Sequence, residues 1–409
     1  MTETSSIVIV GGGLAGATAA KTLRDEGFAG DVHLIAAEGH HPYIRPPLSK
    51  DFLAGTAERS SVFVESPEWY REREIDLRLA TTVTELDAGA QRVRLDSGAS
   101  IGYDALLLAT GSTARRLTIP GAELQGVRTL RTLDDSEALH RELANGDRRL
   151  VLIGSGWIGM EVAATARTLG NEVTILERDP VPLANALGDE LGTVFAEMHV
   201  EHGVELRTSV VVTEITGSDG RATGVRLDTG ELFAADLVLV GVGAIPNLDL
   251  ARSAGAAIGS GVLTDAALRT DVANVYAAGD IAEAFHPLVD LRLRSEHWAN
   301  ALHGGAAAAR SMLGRDVSYD DIPYFYTDQY DLGMEYSGFG PLTVGAEVVY
   351  RGDRKAREFI SFWVADGRVV AGMNVNVWDV NEAVQGVIRR GNRVDPARLA
   401  DERVPLEEL

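Results

Sequence analysis

The chain opens with a stretch that decides the fold, Ile7-Val8-Ile9-Val10-Gly11-Gly12-Gly13-Leu14-Ala15-Gly16. Its first four residues form an apolar, largely β-branched run, which predicts an inner strand of a parallel sheet. Residues 17–24 are predicted to be a helix, and residues 32–36 form a second predicted strand that is followed by Glu38. A strand, a glycine turn, a helix, a strand and an acidic residue in this order are typical of a dinucleotide-binding unit.

Each glycine of this turn has its own predicted task. Gly11 permits the tight turn, Gly13 lets the backbone approach a pyrophosphate, and Gly16 lets the helix pack on the strand. The first turn of the helix offers unpaired N–H groups to the phosphates. Glu38 lies 22 residues after Gly16, where a carboxylate can accept hydrogen bonds from ribose hydroxyls. A glycine turn that binds no nucleotide is the alternative.

The same pattern returns in the middle of the chain, with strands predicted at 149–153 and 173–176 and a helix at 161–169. The turn between the first strand and the helix is Gly154-Ser155-Gly156-Trp157-Ile158-Gly159. Glu177 lies 18 residues after Gly159, and a carboxylate there repels a 2′-phosphate, which favours NADH over NADPH. The adjacent Arg178 leaves NADPH open as the less favoured donor.

Two dinucleotide motifs imply two bound dinucleotides, most simply FAD and a nicotinamide nucleotide that exchange a hydride. Residues 104–111 and 236–243 share a further pattern of an acid, an apolar strand and a glycine turn. We therefore predict that the second unit is inserted in the first, with an FAD-binding domain at 1–115 and 241–318 and an NAD(H)-binding domain at 116–240. Residues 319–409 are predicted to form a smaller α+β domain with alternating strands at 358–364 and 369–377, a helix at 380–390 and a polar tail.

Composition excludes several classes of site. Cysteine is absent from all 409 residues, which removes disulfides, catalytic thiolates, Cys-ligated zinc and protein-held iron–sulfur clusters. We therefore expect no metal site, and redox chemistry has to come from an organic cofactor or an external partner.

Charge and hydropathy restrict the partners. A formal net charge of −22 argues against nucleic acid and against anionic membrane surfaces. No apolar run approaches the ~18 residues of a membrane span. The start of the chain, Met1-Thr2-Glu3-Thr4, carries an acid where a signal peptide carries bases, so a cytoplasmic protein is predicted.

The chain resembles the oxygenase-coupled, FAD-dependent ferredoxin reductases, the group that contains the putidaredoxin and rhodocoxin reductases, and it is also similar to apoptosis-inducing factor. The segments that carry the resemblance cover nearly the whole chain: 11–16, 42–50, 109–111, 130–135, 154–161, 275–280, 296–298 and 328–331. The resemblance implies an α/β protein of glutathione-reductase-like architecture, with two Rossmann-like domains and a C-terminal α+β domain.

The resemblance also implies roles for individual residues. Lys50 and Glu161 correspond to an ion pair beside the flavin and the nicotinamide, and Trp298 corresponds to an aromatic group near both rings. Cofactor contacts are expected from Gly11, Gly13, Leu14, Ala15, Gly16, Glu38, Arg45, Lys50, Val83, Ala109, Thr110, Gly111, Arg131, Gly154, Gly156, Ile158, Gly159, Glu177, Gly243, Gly279, Asp280, Glu296, His297 and Trp298.

Simpler interpretations remain open for some of these residues. Glu161 is alternatively an acid favoured by the positive end of a helix dipole, and Asp280 is alternatively a helix N-cap. Trp298 is alternatively a core or interface tryptophan, and His297 a structural histidine. Arg45 and Lys50 are alternatively solvated cations of a surface loop.

For the electron acceptor, the resemblance implies an external [2Fe–2S] ferredoxin that serves an oxygenase or a P450. Because ferredoxins of this type are usually acidic, a local basic patch is expected, drawn from Arg389, Arg390, Arg393 and Arg398 or from Arg351, Arg354, Lys355 and Arg357; solvated charge runs are the alternative. Tyr326 stands where relatives often have a tryptophan. The rival functions are an NADH:quinone or NADH:oxygen oxidoreductase and a redox-sensing protein like apoptosis-inducing factor. The sequence does not indicate an oligomeric state.

Overall fold

The computed structural model describes residues 4–409. Glu3, the acid on which the expectation of no signal peptide rests, therefore lies outside the described residues. Within residues 4–409, no helix is both long enough and apolar enough to cross a membrane.

A parallel sheet forms around the first glycine turn. In spatial order its five strands are Val275–Ala277, Ala105–Leu108, Ser6–Val10, Asp31–Ile35 and Ile75–Arg78. The strand Ser6–Val10 is central and its last four residues are buried, because parallel sheets are covered on both faces. The glycine turn therefore emerges at the middle of the carboxyl edge of the sheet, where open α/β sheets bind their ligands.

A second parallel sheet repeats this arrangement around the second glycine turn. Its five strands, in spatial order, are Glu205–Arg207, Glu172–Leu176, Arg149–Ile153, Leu237–Val240 and Val127–Arg128. The segments that look alike in the sequence, 104–111 and 236–243, thus supply equivalent strands next to the two central ones.

Smaller antiparallel sheets accompany each unit, with strands Val83–Asp87, Arg92–Leu95 and Ser100–Gly102 in one and Val212–Ser218, Arg221–Leu227 and Leu232–Ala234 in the other. A third small sheet is mixed: Val262–Thr264 pairs parallel with Ala282–His286, which pairs antiparallel with Leu291–Arg294. The chain passes from the first unit to the second and back through a two-stranded ladder of Ser112–Ala114 and Ala244–Pro246. The predicted boundaries at 115/116 and 240/241 lie close to this ladder, and the whole domain division stays a prediction.

The helices connect and cover these sheets. The α-helices are Leu14–Asp25, Asp51–Ala54, Pro67–Glu72, Leu133–Leu143, Trp157–Thr168, Ala184–Leu187, Asp189–Glu201, Asp249–Ser253, Trp298–Met312, Asn381–Arg390 and Pro396–Ala400. Short 3₁₀ helices lie at Pro46–Ser49, Arg59–Val62, Gly279–Ile281, Gly340–Leu342 and Leu406–Glu408. The helix Leu14–Asp25 packs against Trp298–Met312, so closely that a Cβ at Gly305 would overlap the carbonyl of Ala15.

The C-terminal part is an antiparallel sheet with helices on one side. Its strands, in spatial order, are Tyr324–Gln329, Leu332–Gly338, Arg368–Val375, Glu358–Ala365 and Glu347–Asp353. One face packs into the core of the second unit, and the other face is covered by the helix Asn381–Arg390. Together with the two parallel sheets, this confirms the predicted fold class.

One expectation for the C-terminal part was wrong. The strand Glu358–Ala365 is not an alternating strand, because six consecutive residues are buried between its two covered faces. The polar tail also contributes to the core. Leu399 and Leu406 are buried in the core of this domain, so the tail folds back onto the sheet.

Candidate active site

A cavity of about 610 Å³ lies where the carboxyl ends of the first parallel sheet meet the second unit and the C-terminal sheet. This volume lies within the ~300–1,000 Å³ usual for cofactor sites. Most of the predicted site residues line it: Gly11, Gly13, Leu14, Ala15, Glu38, Arg45, Lys50, Ala109, Thr110, Gly111, Arg131, Ile158, Glu161, Gly279, Asp280, Glu296, His297 and Trp298. Residues of the first unit, of the helix Trp157–Thr168 and of the C-terminal sheet therefore line one cavity.

The first glycine turn presents bare backbone to this cavity. Gly11 has φ of +125°, and a Cβ there would overlap the carbonyl of Ala109. A Cβ at Gly16 would overlap the carbonyl of Gly11, whereas a Cβ at Gly13 would meet no atom within 4 Å. Gly13 is the N-cap of the helix Leu14–Asp25 and makes no side-chain capping bond. The turn therefore offers free N–H groups at the positive end of a helix dipole, which suits a pyrophosphate.

Glu38 is held by two neighbours from the following loop. Its carboxylate accepts hydrogen bonds from the hydroxyl of Tyr43 and from Arg45 Nη2, the latter at 2.9 Å. Arg45 also donates to the hydroxyl of Tyr43 at 3.0 Å and to the carbonyl of Arg131. The backbone N–H of Leu133 donates to Tyr43 as well, at 3.0 Å. Arg45 is therefore not a solvated surface cation, and Glu38 has a fixed orientation at the cavity wall.

Arg131 and Asp280 form a second charged pair at the wall, with 2.5 Å between Arg131 Nη2 and Asp280 Oδ2. Asp280 lies inside the short 3₁₀ helix Gly279–Ile281, whose N-cap is Ala278, so the alternative of a helix N-cap was wrong. Arg131 Nε also donates to the carbonyl of Ser112 at 2.9 Å. The guanidinium thus provides a fixed positive charge, the kind of group that phosphate oxygens recruit.

Lys50 and Glu161 form a nearly buried ion pair, with 2.9 Å between Lys50 Nζ and Glu161 Oε1 and side-chain exposures of 13% and 7%. Thr327 donates its hydroxyl to Glu161 Oε1 at 2.6 Å, and Ser49 donates to Glu161 Oε2. No acidic residue lies in the first turn of the helix Trp157–Thr168. Glu161 follows in the second turn, so the helix dipole does not explain its position.

Aromatic rings close the cavity beside this pair. His297 stacks on Phe325 with 4.3 Å between ring centroids, and burial lowers the pKa of His297 to about 4. The imidazole is therefore neutral at pH 7. Trp298 begins the helix Trp298–Met312 and is partly exposed in the cavity. Tyr326 also lines the cavity, with its ring centroid 5.5 Å from Lys50 Nζ.

The second glycine turn has the same construction but lies outside the cavity wall, apart from Trp157 and Ile158. A Cβ at Gly154 or at Gly159 would crowd a carbonyl at 2.6 Å, whereas a Cβ at Gly156 would meet nothing within 4 Å. Glu177 accepts hydrogen bonds from the N–H and the hydroxyl of Ser155, at 2.7 and 2.6 Å. Glu177 was predicted to bind the nucleotide. In the structure its carboxylate stabilises the second glycine turn by these two hydrogen bonds.

Several predicted contacts are not at the cavity wall. Val83 is buried in the core beneath the first sheet, and Gly16 lies under the turn. Gly243 follows the strand Leu237–Val240 and accepts a hydrogen bond from the N–H of Arg115. These residues, with Gly154, Gly156, Gly159 and Glu177, do not line the cavity.

Sequence reasoning missed the residues that hold the charged groups in place. Tyr43 and Ser49 lie inside the segment 42–50 and Thr327 lies next to Tyr326, but none of the three was named as a site residue. Their partners Glu38 and Glu161 lie 5, 112 and 166 residues away. The hydroxyls of Ser49 and Thr327 bond a residue more than a hundred positions away, so no local sequence pattern predicts these contacts. Only Tyr43 lies close enough to Glu38 in the sequence for their contact to be predicted.

Several arginines of the expected basic patches contact other parts of the chain. Arg389 pairs with Asp320 at 2.8 Å, and Arg351 and Arg390 donate to backbone carbonyls of the C-terminal tail. Part of the hydrogen-bonding capacity of both clusters therefore fixes the tail and neighbouring elements, and their role as a docking patch stays a prediction.

The donor set of the cavity fits FAD. A bare glycine turn at a helix N-terminus and the Arg131 guanidinium suit the pyrophosphate, Glu38 suits a ribose, and the aromatic wall suits a flat ring system. Across residues 4–409, no group of three or more His, Cys, Asp or Glu side chains is arranged to hold a metal ion.

Known proteins share both parts of this chain. Residues 5–305 match the family described as pyridine nucleotide-disulphide oxidoreductase, and residues 324–409 match a reductase C-terminal domain. Rhodocoxin reductase of Rhodococcus erythropolis is 37% identical over 397 residues, which cover 97% of this chain and 92% of the relative. The ferredoxin–NAD(+) reductase component of the anthranilate 1,2-dioxygenase system of Burkholderia cepacia is 38% identical, with 98% of each chain covered.

A solved structure shares the whole architecture. The chain matches the crystal structure of the covalent putidaredoxin reductase–putidaredoxin complex with a TM-score of 0.94 and 34% identity, covering 100% of this chain and 98% of the other. FAD and NAD(P)H are the dinucleotides of this family. The absence of cysteine shows that no disulfide of this chain takes part in its chemistry. The chain belongs to the pyridine nucleotide-disulphide oxidoreductase family, among its ferredoxin reductases with a reductase C-terminal domain.

Proposed function

We propose that this protein oxidises NADH with FAD held in the cavity and passes the electrons singly to a [2Fe–2S] ferredoxin that serves an oxygenase or a P450. The observation that carries the proposal is the position of the Glu161 carboxylate. This residue lies on the helix of the second glycine turn, yet its carboxylate pairs with Lys50 in the cavity built on the first turn. The two predicted dinucleotide sites therefore meet at one ion pair.

The residues have distinct proposed tasks. Gly11, Gly13 and Arg131 bind the pyrophosphate of FAD, and Glu38 binds its ribose. FAD, when bound, accepts a hydride and can release two electrons one at a time. Lys50 supplies a fixed positive charge that stabilises the negative charge gained by the flavin when it accepts the hydride. Glu161 orients the ammonium group of Lys50. The wall of His297, Trp298 and Phe325 excludes water from the reacting rings.

For the nicotinamide nucleotide we propose the turn with Gly154, Gly156 and Gly159, together with Ile158 and Gly243. Glu177 supports NADH over NADPH because it places a carboxylate at the end of the second strand, where a 2′-phosphate would be repelled. Arg178 points into solvent, with 79% of its side chain exposed. We retain the domain division at 1–115 with 241–318, 116–240 and 319–409, and the cytoplasmic location stays a prediction.

The test is a two-stage measurement on the purified flavoprotein. In anaerobic rapid mixing, NADH is expected to bleach the flavin absorbance faster than NADPH does. Steady-state turnover is then compared with a [2Fe–2S] ferredoxin, a quinone and oxygen as acceptors. Fast turnover with ferredoxin alone supports the proposal. Preferential turnover with the quinone or oxygen supports the rival oxidoreductase. Slow turnover with every acceptor, together with NADH-dependent dimerisation, supports a redox-sensing protein.

A further inference from the structure

A series of buried hydrogen bonds runs from the ion pair into the protein. Thr327 Oγ1 donates to Glu161 Oε1 at 2.6 Å, and Gln329 Nε2 donates to Thr327 Oγ1 at 3.2 Å. His199 Nε2 lies 2.8 Å from Gln329 Oε1. The relative exposures are 6% for Glu161, 1% for Thr327, 1% for Gln329 and 0% for His199. Water therefore does not compete for these bonds.

The donor and the acceptor of each hydrogen bond in this series are fixed. Gln329 Oε1 accepts only, so His199 Nε2 has to carry a proton. Burial lowers the pKa of His199 to about 4, and His199 Nδ1 has no hydrogen-bond partner among the described residues. Both observations fit a neutral ring with its proton on Nε2. Because the Gln329 amide donates to Thr327 Oγ1, the hydroxyl proton of Thr327 has to point at Glu161.

The hydrogen-bond series and the ion pair lie where all three predicted domains meet. Thr327 and Gln329 belong to the strand Tyr324–Gln329, and with Phe325 they alternate along one of its faces. His199 comes from the helix Asp189–Glu201, and Glu161 from Trp157–Thr168. Ser49 and Lys50 complete the contacts to the carboxylate from the first unit.

We propose that Thr327 is a positioning residue, which holds Glu161 Oε1 against Lys50, and that Gln329 and His199 fix the hydroxyl of Thr327 in turn. Each oxygen of the carboxylate then has a hydroxyl donor, Thr327 on Oε1 and Ser49 on Oε2, so the carboxylate cannot rotate away from Lys50 without leaving a buried donor unpaired. The effect on hydride transfer rests on the proposed function, because Lys50 matters there only if flavin reduction occurs in the cavity.

The experiment compares Thr327→Val, which removes only the hydroxyl donor, with Thr327→Ser, which keeps it. Thr264→Val is the matched control, because Thr264 is 1% exposed and its hydroxyl has no hydrogen-bond partner among the described residues. We expect Thr327→Val to lower the limiting rate of flavin reduction by NADH on the order of tenfold, the size of one charge-assisted hydrogen bond, with the NADH dissociation constant within about twofold. Thr327→Ser and Thr264→Val are expected to stay near the wild-type rate.

A double-mutant cycle separates positioning from a general structural effect. If Thr327 acts through Glu161, Thr327→Val causes no further loss in a Glu161→Gln background. An equal tenfold loss in that background overturns the proposal, and so does an unchanged limiting rate in the single variant.

A second readout needs no turnover. Lys21, Lys50 and Lys355 are the only lysines in the sequence, so ¹³Cε-lysine labelling gives three NMR signals that Lys→Arg substitutions assign. We expect Thr327→Val to move the Lys50 signal in the same direction as Glu161→Gln does, in the apoprotein and in the flavin-loaded protein, and Thr327→Ser to leave it in place. A Lys50 signal that does not respond to Thr327→Val overturns the proposal. If wild-type flavin is not reduced by NADH, the proposed function fails, and this readout still decides the role of Thr327.

Discussion

Lys50 Nζ lies 2.9 Å from Glu161 Oε1, and the two residues come from different dinucleotide-binding units. Burying two charges costs desolvation free energy, which is recovered only if both partners are present and well hydrogen-bonded. The hydroxyls of Ser49 and Thr327 supply those hydrogen bonds. A pair of this kind is weak evidence for stability, but it fixes a cation at one point of the cavity.

Removing the cation is expected to slow flavin reduction. We predict that Lys50→Ala lowers the rate constant for reduction by NADH by about 10²-fold, the size of one preorganised electrostatic contact in a catalytic site. Rapid mixing at 450 nm measures this directly. Lys355→Ala is the matched control, because Lys355 is exposed and does not line the cavity. Equal rates in the wild type and the Lys50 variant would remove Lys50 from the proposed mechanism.

The choice of nucleotide is expected to depend on the charge of Glu177. Glu177→Ala removes a carboxylate that repels a 2′-phosphate, so we predict that the ratio of kcat/KM for NADH over NADPH falls by about tenfold. Because Glu177 also accepts hydrogen bonds from Ser155, the loop contact needs its own control. Ser155→Ala removes one of these bonds and keeps the charge, so it should preserve the ratio. If Ser155→Ala changes the ratio as much as Glu177→Ala does, the loop and not the charge sets the preference.

The sequence predicted the fold well because its strongest patterns are local. The runs ending at Val10 and Ile153, each followed by a glycine turn and a helix, are complete within about 30 residues. The structure places a strand, a turn and a helix at both positions. The alternation predicted for the strand Glu358–Ala365 failed, because the second unit covers one face of the sheet and the C-terminal helix the other. No pattern within the strand shows what covers it.

The site was predicted less completely than the fold. The charged residues Lys50 and Glu161 were found because they resemble a known pair. The roles of the Thr327 hydroxyl and the Gln329 amide could be recognised only in the structure, because their partners come from distant segments of the chain. Neither residue type indicates a site by itself. The basic clusters stay a prediction, and a run of arginines does not reveal whether a guanidinium already has an acceptor, as Arg389 has in Asp320.

A methyl group at Gly13 is expected to exclude FAD without unfolding the protein. Gly13 has φ of −79° and ψ of −174°, which alanine adopts without strain, and a Cβ there meets no atom within 4 Å. The residue lines the cavity at the helix N-terminus, so we predict that Gly13→Ala folds but retains less than about a tenth of the flavin, because the backbone can no longer approach the pyrophosphate closely. Gly340→Ala, at an exposed glycine with equal space, should keep its flavin. Full flavin content in Gly13→Ala would contradict this site for the pyrophosphate.

His199 is expected to destabilise the protein as the solution becomes acidic. Burial lowers its pKa from 6.5 to about 4, so between these values the unfolded chain binds a proton that the folded chain does not bind. The free energy of unfolding therefore falls as the pH falls from 6.5 to 4, with a contribution of about 3 kcal/mol from this one group. His199→Gln keeps a donor for Gln329 and cannot be protonated, so its urea unfolding should depend less steeply on pH in this range. His303→Gln should change the slope in the opposite direction, because the hydrogen bond to Asp321 raises the pKa of His303 and thereby stabilises the fold at low pH. A His199→Gln variant that loses stability towards pH 4 as steeply as the wild type would show that His199 is not the group that titrates on unfolding.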